Sequence, residues 1–104
     1  MAQFDVFVNP IGAARRAHPF VVSLQSDLTR DARDQLVAPL VPFASMTKVA
    51  GRLTPIVGFQ GAEHVVLVPA MMGVRSRDLD KPCGSLASAR SALLAAIDYL
   101  FFGV

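Results

Sequence analysis

The side chains that could perform chemistry in this 104-residue chain are few, and they are scattered along it. A metal-free ribonuclease would need a cation, a base and a hydroxyl group converging on one phosphodiester. Ser26, Asp27, Arg30 and Arg33 supply these residue types within one short stretch. Nothing in their spacing demands catalysis, and a charged surface loop explains the same residues more simply.

The histidines and the cysteine do not form a recognisable site either. His18 and His64 are far apart in sequence, and Cys83 follows a proline in "DKPCG", which is typical of a thiol in a turn. No group of cysteines and histidines has metal-ligand spacing, and there is no phosphate-binding loop or dinucleotide-binding motif. We therefore expect no catalytic residue, no metal and no cofactor.

The charge pattern argues against two classes of partner. The net charge is +2, and the basic residues are dispersed rather than interleaved with aromatic ones, so direct binding of nucleic acid is not indicated. The longest uncharged apolar run is residues 65–74, about half of what a transmembrane helix needs. The start of the chain lacks the basic region of a signal peptide, and a single cysteine fits a reducing compartment, so we expect a cytoplasmic protein.

The composition indicates a single domain, residues 1–104, that associates with another surface. Apolar residues make up 53% of the chain and charged residues only 17%. A domain of this size has a large surface for its volume, so such an apolar excess favours a homodimer over a monomer.

Short apolar segments separated by glycine and proline predict a mainly β domain. We expect strands at 4–8, 20–24, 36–41 and 71–75, with residues 27–35 as an exposed connection. Pro39 and Pro42 would place the third strand near an edge or end of the sheet. "IVGFQGAEHVV" predicts a hairpin turning at Gln60-Gly61. Strands at this spacing are typical of a small barrel or sandwich.

The last segment instead predicts a helix over 85–102, because it contains neither glycine nor proline and is rich in alanine and leucine. Ser85 is the expected N-cap, and Gly103 the expected left-handed residue after the last turn. Helical spacing puts Phe101 on the predicted core stripe and Phe102 on the far side. Phe102 is then either exposed toward a partner or folded back where the helix frays. The other stripe residues are Leu86, Ala89, Leu93, Leu94, Ile97 and Leu100.

Several segments together resemble the CcdB family of toxins from toxin–antitoxin modules. They are "QFDVF" at 3–7, "PFVVSLQSDL" at 19–28, "LVAPL" at 36–40, "LTPIVGF" at 53–59 and "AAIDYLFFGV" at 95–104. The resemblance implies a small SH3-like β-barrel with a C-terminal α-helix, forming a homodimer, as in the MazF and Kid toxins.

It also implies a function without chemistry. Toxins of this family bind the A subunit of DNA gyrase and trap the enzyme on cleaved DNA, and a CcdA-like antitoxin neutralises them. The family's Trp-Gly-Ile ending falls on Phe102, Gly103 and Val104, so a phenylalanine replaces the tryptophan. Asp98 and Leu28 also fall on positions of partner contact, and Leu100 on a position in the dimer interface.

Two other functions stay open at this stage. A MazF-like endoribonuclease could use the same barrel, because fold does not determine function. A non-toxic or retargeted CcdB-like interaction protein is the other alternative, since the helix ending departs from the family pattern at Phe102.

Overall fold

A computed structural model describes residues 2–25, 33–46 and 51–103. In these ranges the chain forms one antiparallel sheet followed by a helix. The strands are β1 (Asp5–Val8), β2 (Phe20–Ser23), β3 (Asp34–Pro42), β4 (Ile56–Phe59), β5 (Ala62–Val66), β6 (Met72–Arg75) and β7 (Gly84–Ser85), and the helix is α1 (Arg90–Phe102). Short 3-10 turns connect them, including Gly51–Leu53 and Ser76–Asp78.

The sheet is organised around β3, so the prediction that this strand lies near an edge is wrong. One side of β3 pairs with β2, and the other side pairs first with β6 and then with β5. The carbonyl of Pro39 accepts from the Leu67 N–H on that second side, at the point where β6 ends and β5 begins. The backbone N and C=O of a strand residue face the same side, so the nitrogen of Pro39 also faces the gap between β6 and β5. The N–H that proline lacks would therefore not have formed a hydrogen bond of the sheet.

The predicted hairpin is confirmed as β4 and β5, with Phe59 opposite Ala62. Gln60 and Gly61 both have positive φ, at 51° and 76°. Two consecutive positive φ values define the turn that matches the twist of a two-residue hairpin, and a glycine in the second position adopts it without strain.

The sheet curls until its two ends approach each other, at β4 and β7. β7 pairs with the outer side of β1, and the ring of Phe59 in β4 packs directly against Gly84 of β7. The result is a small, nearly closed antiparallel barrel. Its main core lies between the inner face of the sheet and α1, and includes Phe4, Leu40, Val66, Leu86 and Leu93. A second core of Phe7, Val21, Val37 and Leu79 lies on the other face.

The helix begins later than the sequence predicts. Ser85 belongs to β7, and its hydroxyl accepts from the Ala87 N–H instead of capping a long helix. The regular helix starts at Arg90, and its N-cap residue, Ala89, makes no side-chain capping bond. Its start is fixed instead from outside, since Leu86 N–H donates to the Phe4 carbonyl and Arg90 donates to the Gln3 side chain. No helix in the described ranges has the length and apolar character to cross a membrane.

Candidate functional site

The C-terminal end of α1 is the most prominent apolar feature of the described surface. Phe102 is 74% exposed and Phe101 is 61% exposed, more than any other large apolar side chain described. Gly103 ends the helix with φ 73°, and its N–H donates to the Tyr99 carbonyl at 3.0 Å. The helix therefore continues through Phe102 rather than fraying, and it presents this ring to solvent. We call Asp98, Tyr99, Phe101, Phe102 and Gly103 the helix tip.

The prediction that Phe101 packs in the core is wrong. The buried residues of the helix are Leu93 and Ala96, and the latter was absent from the predicted stripe. Phe101 is turned about 80° from Leu93 and about 140° from Ala96. Leu94 is turned further from both and still packs against the main core, so Phe101 is exposed because it lies in the last turn of the helix and not because of its angle. The rest of the predicted stripe is confirmed, because Leu86 and Leu93 are buried and Ala89, Leu94, Ile97 and Leu100 pack against the main core.

The other residues predicted to contact partners occupy different surroundings. Asp98 is exposed, one turn before Phe102 on the same side of the helix. Leu100 is half-buried and packs against the main core of this chain, so only part of its surface could meet a second copy. Leu28 and Val104 lie outside the described residues.

A contact beside the helix tip was missed by the sequence reasoning. The Arg52 guanidinium lies over the Tyr99 ring, 4.2 Å from its centroid. Arg52 comes from the 3-10 turn Gly51–Leu53, which packs against α1. No periodicity or motif relates residues 52 and 99, so only the folded arrangement reveals the pair.

The two histidines, which are candidate acids or bases by residue type, make contacts within the fold. His64 is buried in β5 against the rings of Phe20 and Phe59, at centroid distances of 6.1 and 6.0 Å. Its Nδ1 lies 3.2 Å from the Ala62 carbonyl. His18 is half-buried in the loop before β2, where its backbone N–H donates to the Ala14 carbonyl.

Cys83 lies just before β7, and its thiol donates weakly to the Val6 carbonyl at 3.4 Å. Cys83 is exposed at the surface, and the partial burial of its thiol raises the pKa above its usual value, with a smaller opposing effect from a backbone hydrogen bond. A raised pKa disfavours the thiolate, which is the nucleophilic form, so the surroundings of Cys83 do not activate it.

Of the four residues considered for a ribonuclease site, Ser26, Asp27 and Arg30 lie outside the described ranges. Arg33 is exposed, and its carbonyl accepts from the Ser76 N–H at the start of β3. Among the described residues, no three histidine, cysteine, aspartate or glutamate side chains are grouped so that they could hold a metal ion.

Known proteins share the architecture of a small antiparallel barrel followed by a C-terminal helix. The chain is similar to the solved structure of the Mycobacterium tuberculosis toxin MazF-mt6, with a TM-score of 0.61 and 27% sequence identity. The similarity covers 79% of this chain and 84% of that one. No curated protein sequence matches the chain.

The sequence model of the CcdB protein family matches residues 3–103, almost the entire chain. The chain therefore belongs to the CcdB family, as the resemblance of its segments predicted. Membership in this family indicates the toxin of a toxin–antitoxin module and implies an antitoxin as a partner. It confirms the predicted SH3-like barrel with a C-terminal helix.

Proposed function

We propose that this protein is a toxin that binds the A subunit of DNA gyrase through its helix tip and holds the enzyme on cleaved DNA. The observation that carries the proposal is the 74% exposure of Phe102 at the end of an intact helix. Burying so large an apolar side chain contributes about 1.5–3 kcal/mol, a gain that the free chain leaves unused. Exposed aromatic anchors of this kind dominate the energetics of protein interfaces.

In this mechanism the protein performs no chemical reaction. Phe102 inserts into an apolar recess of the partner, and the absence of a side chain at Gly103 allows the partner's backbone to approach closely. A homodimer would present two such rings to a symmetric target, one from each copy. Binding to one conformation of gyrase more tightly than to the others shifts the enzyme toward that conformation, which is the cleaved complex. A CcdA-like antitoxin would compete for the toxin and release the enzyme.

The test is Phe102→Ala, with Phe43→Ala as the matched control. Phe43 is another exposed phenylalanine, in the turn that follows β3. We expect Phe102→Ala to weaken binding to the gyrase A subunit by about 30-fold or more, the range of an interface hot spot, and to abolish growth arrest on expression. Phe43→Ala should retain both activities, and both variants should keep the thermal midpoint of the wild type.

Two results would contradict this assignment. If Phe102→Ala unfolds the protein, the ring is part of the core rather than a binding anchor. If the wild type binds gyrase A no better than Phe102→Ala does and leaves growth unaffected, the protein is a non-toxic or retargeted member of the family.

The similarity to the toxin MazF-mt6 supports a second candidate, an endoribonuclease built on the same barrel. Incubating the purified protein with a long RNA separates the two. If the wild type cleaves RNA and Arg33→Ala does not, the protein is an endoribonuclease and the gyrase proposal is wrong. Intact RNA together with gyrase-linked DNA breaks would support the gyrase proposal.

A further inference from the structure

We propose that Arg52 is a second anchor of the helix tip and that it binds a carboxylate of the partner beside the recess for Phe102. This inference rests on the proposed function, because it concerns the same binding surface. It adds a chemical requirement for the partner: an acidic side chain next to an apolar recess.

The contact that Arg52 makes is with an aromatic ring, not with a hydrogen-bond acceptor such as a carboxylate. Its guanidinium carbon lies over the Tyr99 ring, 4.2 Å from the ring centroid, well within the range of a cation–π contact. The N–H donors of a guanidinium lie in the plane of the group, so a guanidinium that contacts a ring through its flat face keeps them free for hydrogen bonds. A stacked arginine can therefore still bind both oxygens of a carboxylate in its plane, which a lysine ammonium cannot reproduce.

The backbone that carries Arg52 is held in place before any partner arrives. The turn is closed by the Thr54 N–H donating to the Gly51 carbonyl at 3.2 Å, and Thr54 is buried. Gly51 has φ 47°, a conformation that glycine adopts without strain. The following Pro55 carbonyl accepts from Val66 of β5, which ties the turn to the barrel. An anchor fixed in this way loses little conformational entropy on binding.

The charge of Arg52 is not neutralised by the part of the chain that the structure describes. There the ion pair within 4.0 Å joins Arg75 and Asp34, and Arg52 has no comparable partner. Arg52 is an exposed cation that contacts the ring of Tyr99, and Phe102 is a more exposed ring beside them. This composition resembles an interface hot spot, in which arginine, tyrosine and tryptophan are enriched.

Arg52 and Asp98 place opposite charges at different positions around the helix tip. Tyr99 and Phe102 are three residues apart and are therefore neighbours on the helix surface. Asp98 lies one turn before Phe102, so the tip carries one exposed acid, and Arg52 stacks on the adjacent Tyr99. A partner carboxylate is attracted to the Arg52 side and repelled from Asp98, which would fix the orientation of the complex as well as its affinity.

The test compares Arg52→Gln and Arg52→Lys with Arg77→Gln, which removes the same charge from the 3-10 turn that leads to the second core. Affinity for the gyrase A subunit is measured at about 50 mM and about 300 mM salt, together with the thermal midpoint of each variant. We expect Arg52→Gln to bind about tenfold more weakly at low salt, with a smaller difference at high salt, and Arg52→Lys to fall between. Arg77→Gln should bind like the wild type.

The outcomes separate this inference from the proposed function. If the wild type does not bind gyrase A, both are overturned. If the wild type binds and Arg52→Gln matches it at both salt concentrations, the role of Arg52 is overturned while the proposed function stands. A loss in Arg52→Gln that is equal at both salt concentrations and is accompanied by a lower thermal midpoint assigns Arg52 to the packing of its turn on the helix, and also overturns the inference.

Discussion

Replacing Gly84 with alanine should destabilise the barrel at the place where it closes. A Cβ atom at this position would lie 3.0 Å from Cζ of Phe59 and closer still to Cε1. Ordinary carbon contacts are about 3.5–4.0 Å, so the ring would have to move by roughly 1 Å. It has little room to do so, because Phe20 packs edge-on against it at a centroid distance of 5.1 Å and His64 lies at 6.0 Å.

The expected cost follows from this confinement. Forcing one extra carbon into a well-packed core destabilises a protein by about 1–3 kcal/mol. For a domain of this size, ~2 kcal/mol lowers the thermal midpoint by about 8–16 °C. Replacing the Phe59 ring with the smaller side chain of leucine should remove the clash. In a Phe59→Leu background the same Gly84→Ala change should therefore cost less than about 0.5 kcal/mol.

Chemical denaturation of the two single variants and the double variant measures this coupling. Gly58→Ala is the matched control, because a Cβ at this neighbouring strand position meets nothing within 4 Å and the backbone φ is not positive. We expect Gly58→Ala to be close to neutral. Equal stabilities for Gly84→Ala and Gly58→Ala, or a cost that persists without the Phe59 ring, would refute the account of how the barrel closes.

Two further predictions follow from the burial of single side chains. Leu93→Ala should cost about 2–5 kcal/mol in urea denaturation because Leu93 is fully buried, whereas Phe101→Ala should cost less than about 0.5 kcal/mol; equal losses would contradict the observed exposure of Phe101. The Cys83 thiol, whose pKa is raised by burial, should react with iodoacetamide more slowly than a free cysteine at neutral pH and faster as the pH rises through the raised pKa. Rapid alkylation at pH 7 would show that the thiolate is stabilised instead.

The parts of the fold that sequence predicted well are those set by local chemistry. Gln60-Gly61 can adopt two positive φ values, so the hairpin could be recognised from its turn alone. Gly103 was likewise identified by the conformation that a helix end requires. The exposure of Phe102 followed from helical spacing, since it lies on the side of the helix opposite to the buried Leu93.

The failures concern residues whose roles depend on distant parts of the chain. Pro39 looked like an edge residue because its place between two successive strand partners is a property of the sheet, not of its neighbours in sequence. Ser85 was misread because its backbone pairs with Asp5 in β1. Phe101 was misplaced because helical spacing gives the angle of a side chain but not how far along the helix the core extends. Arg52 could not be found because it meets Tyr99 only across a tertiary contact.

The attachment of β7 and the start of α1 to the first strand has a consequence for the order of folding. Asp5 pairs with Ser85, about 80 positions away, whereas Phe59 and Ala62 of the hairpin are nearly adjacent. Closing the longer loop costs about 3 kcal/mol more chain entropy than closing the hairpin. The hairpin and the sheet around β3 can therefore form early, while the β1–β7 pairing and the Gln3–Arg90 bond belong to a late step. Until that step the start of the helix is not fixed against the barrel, so the proposed binding surface would be assembled last.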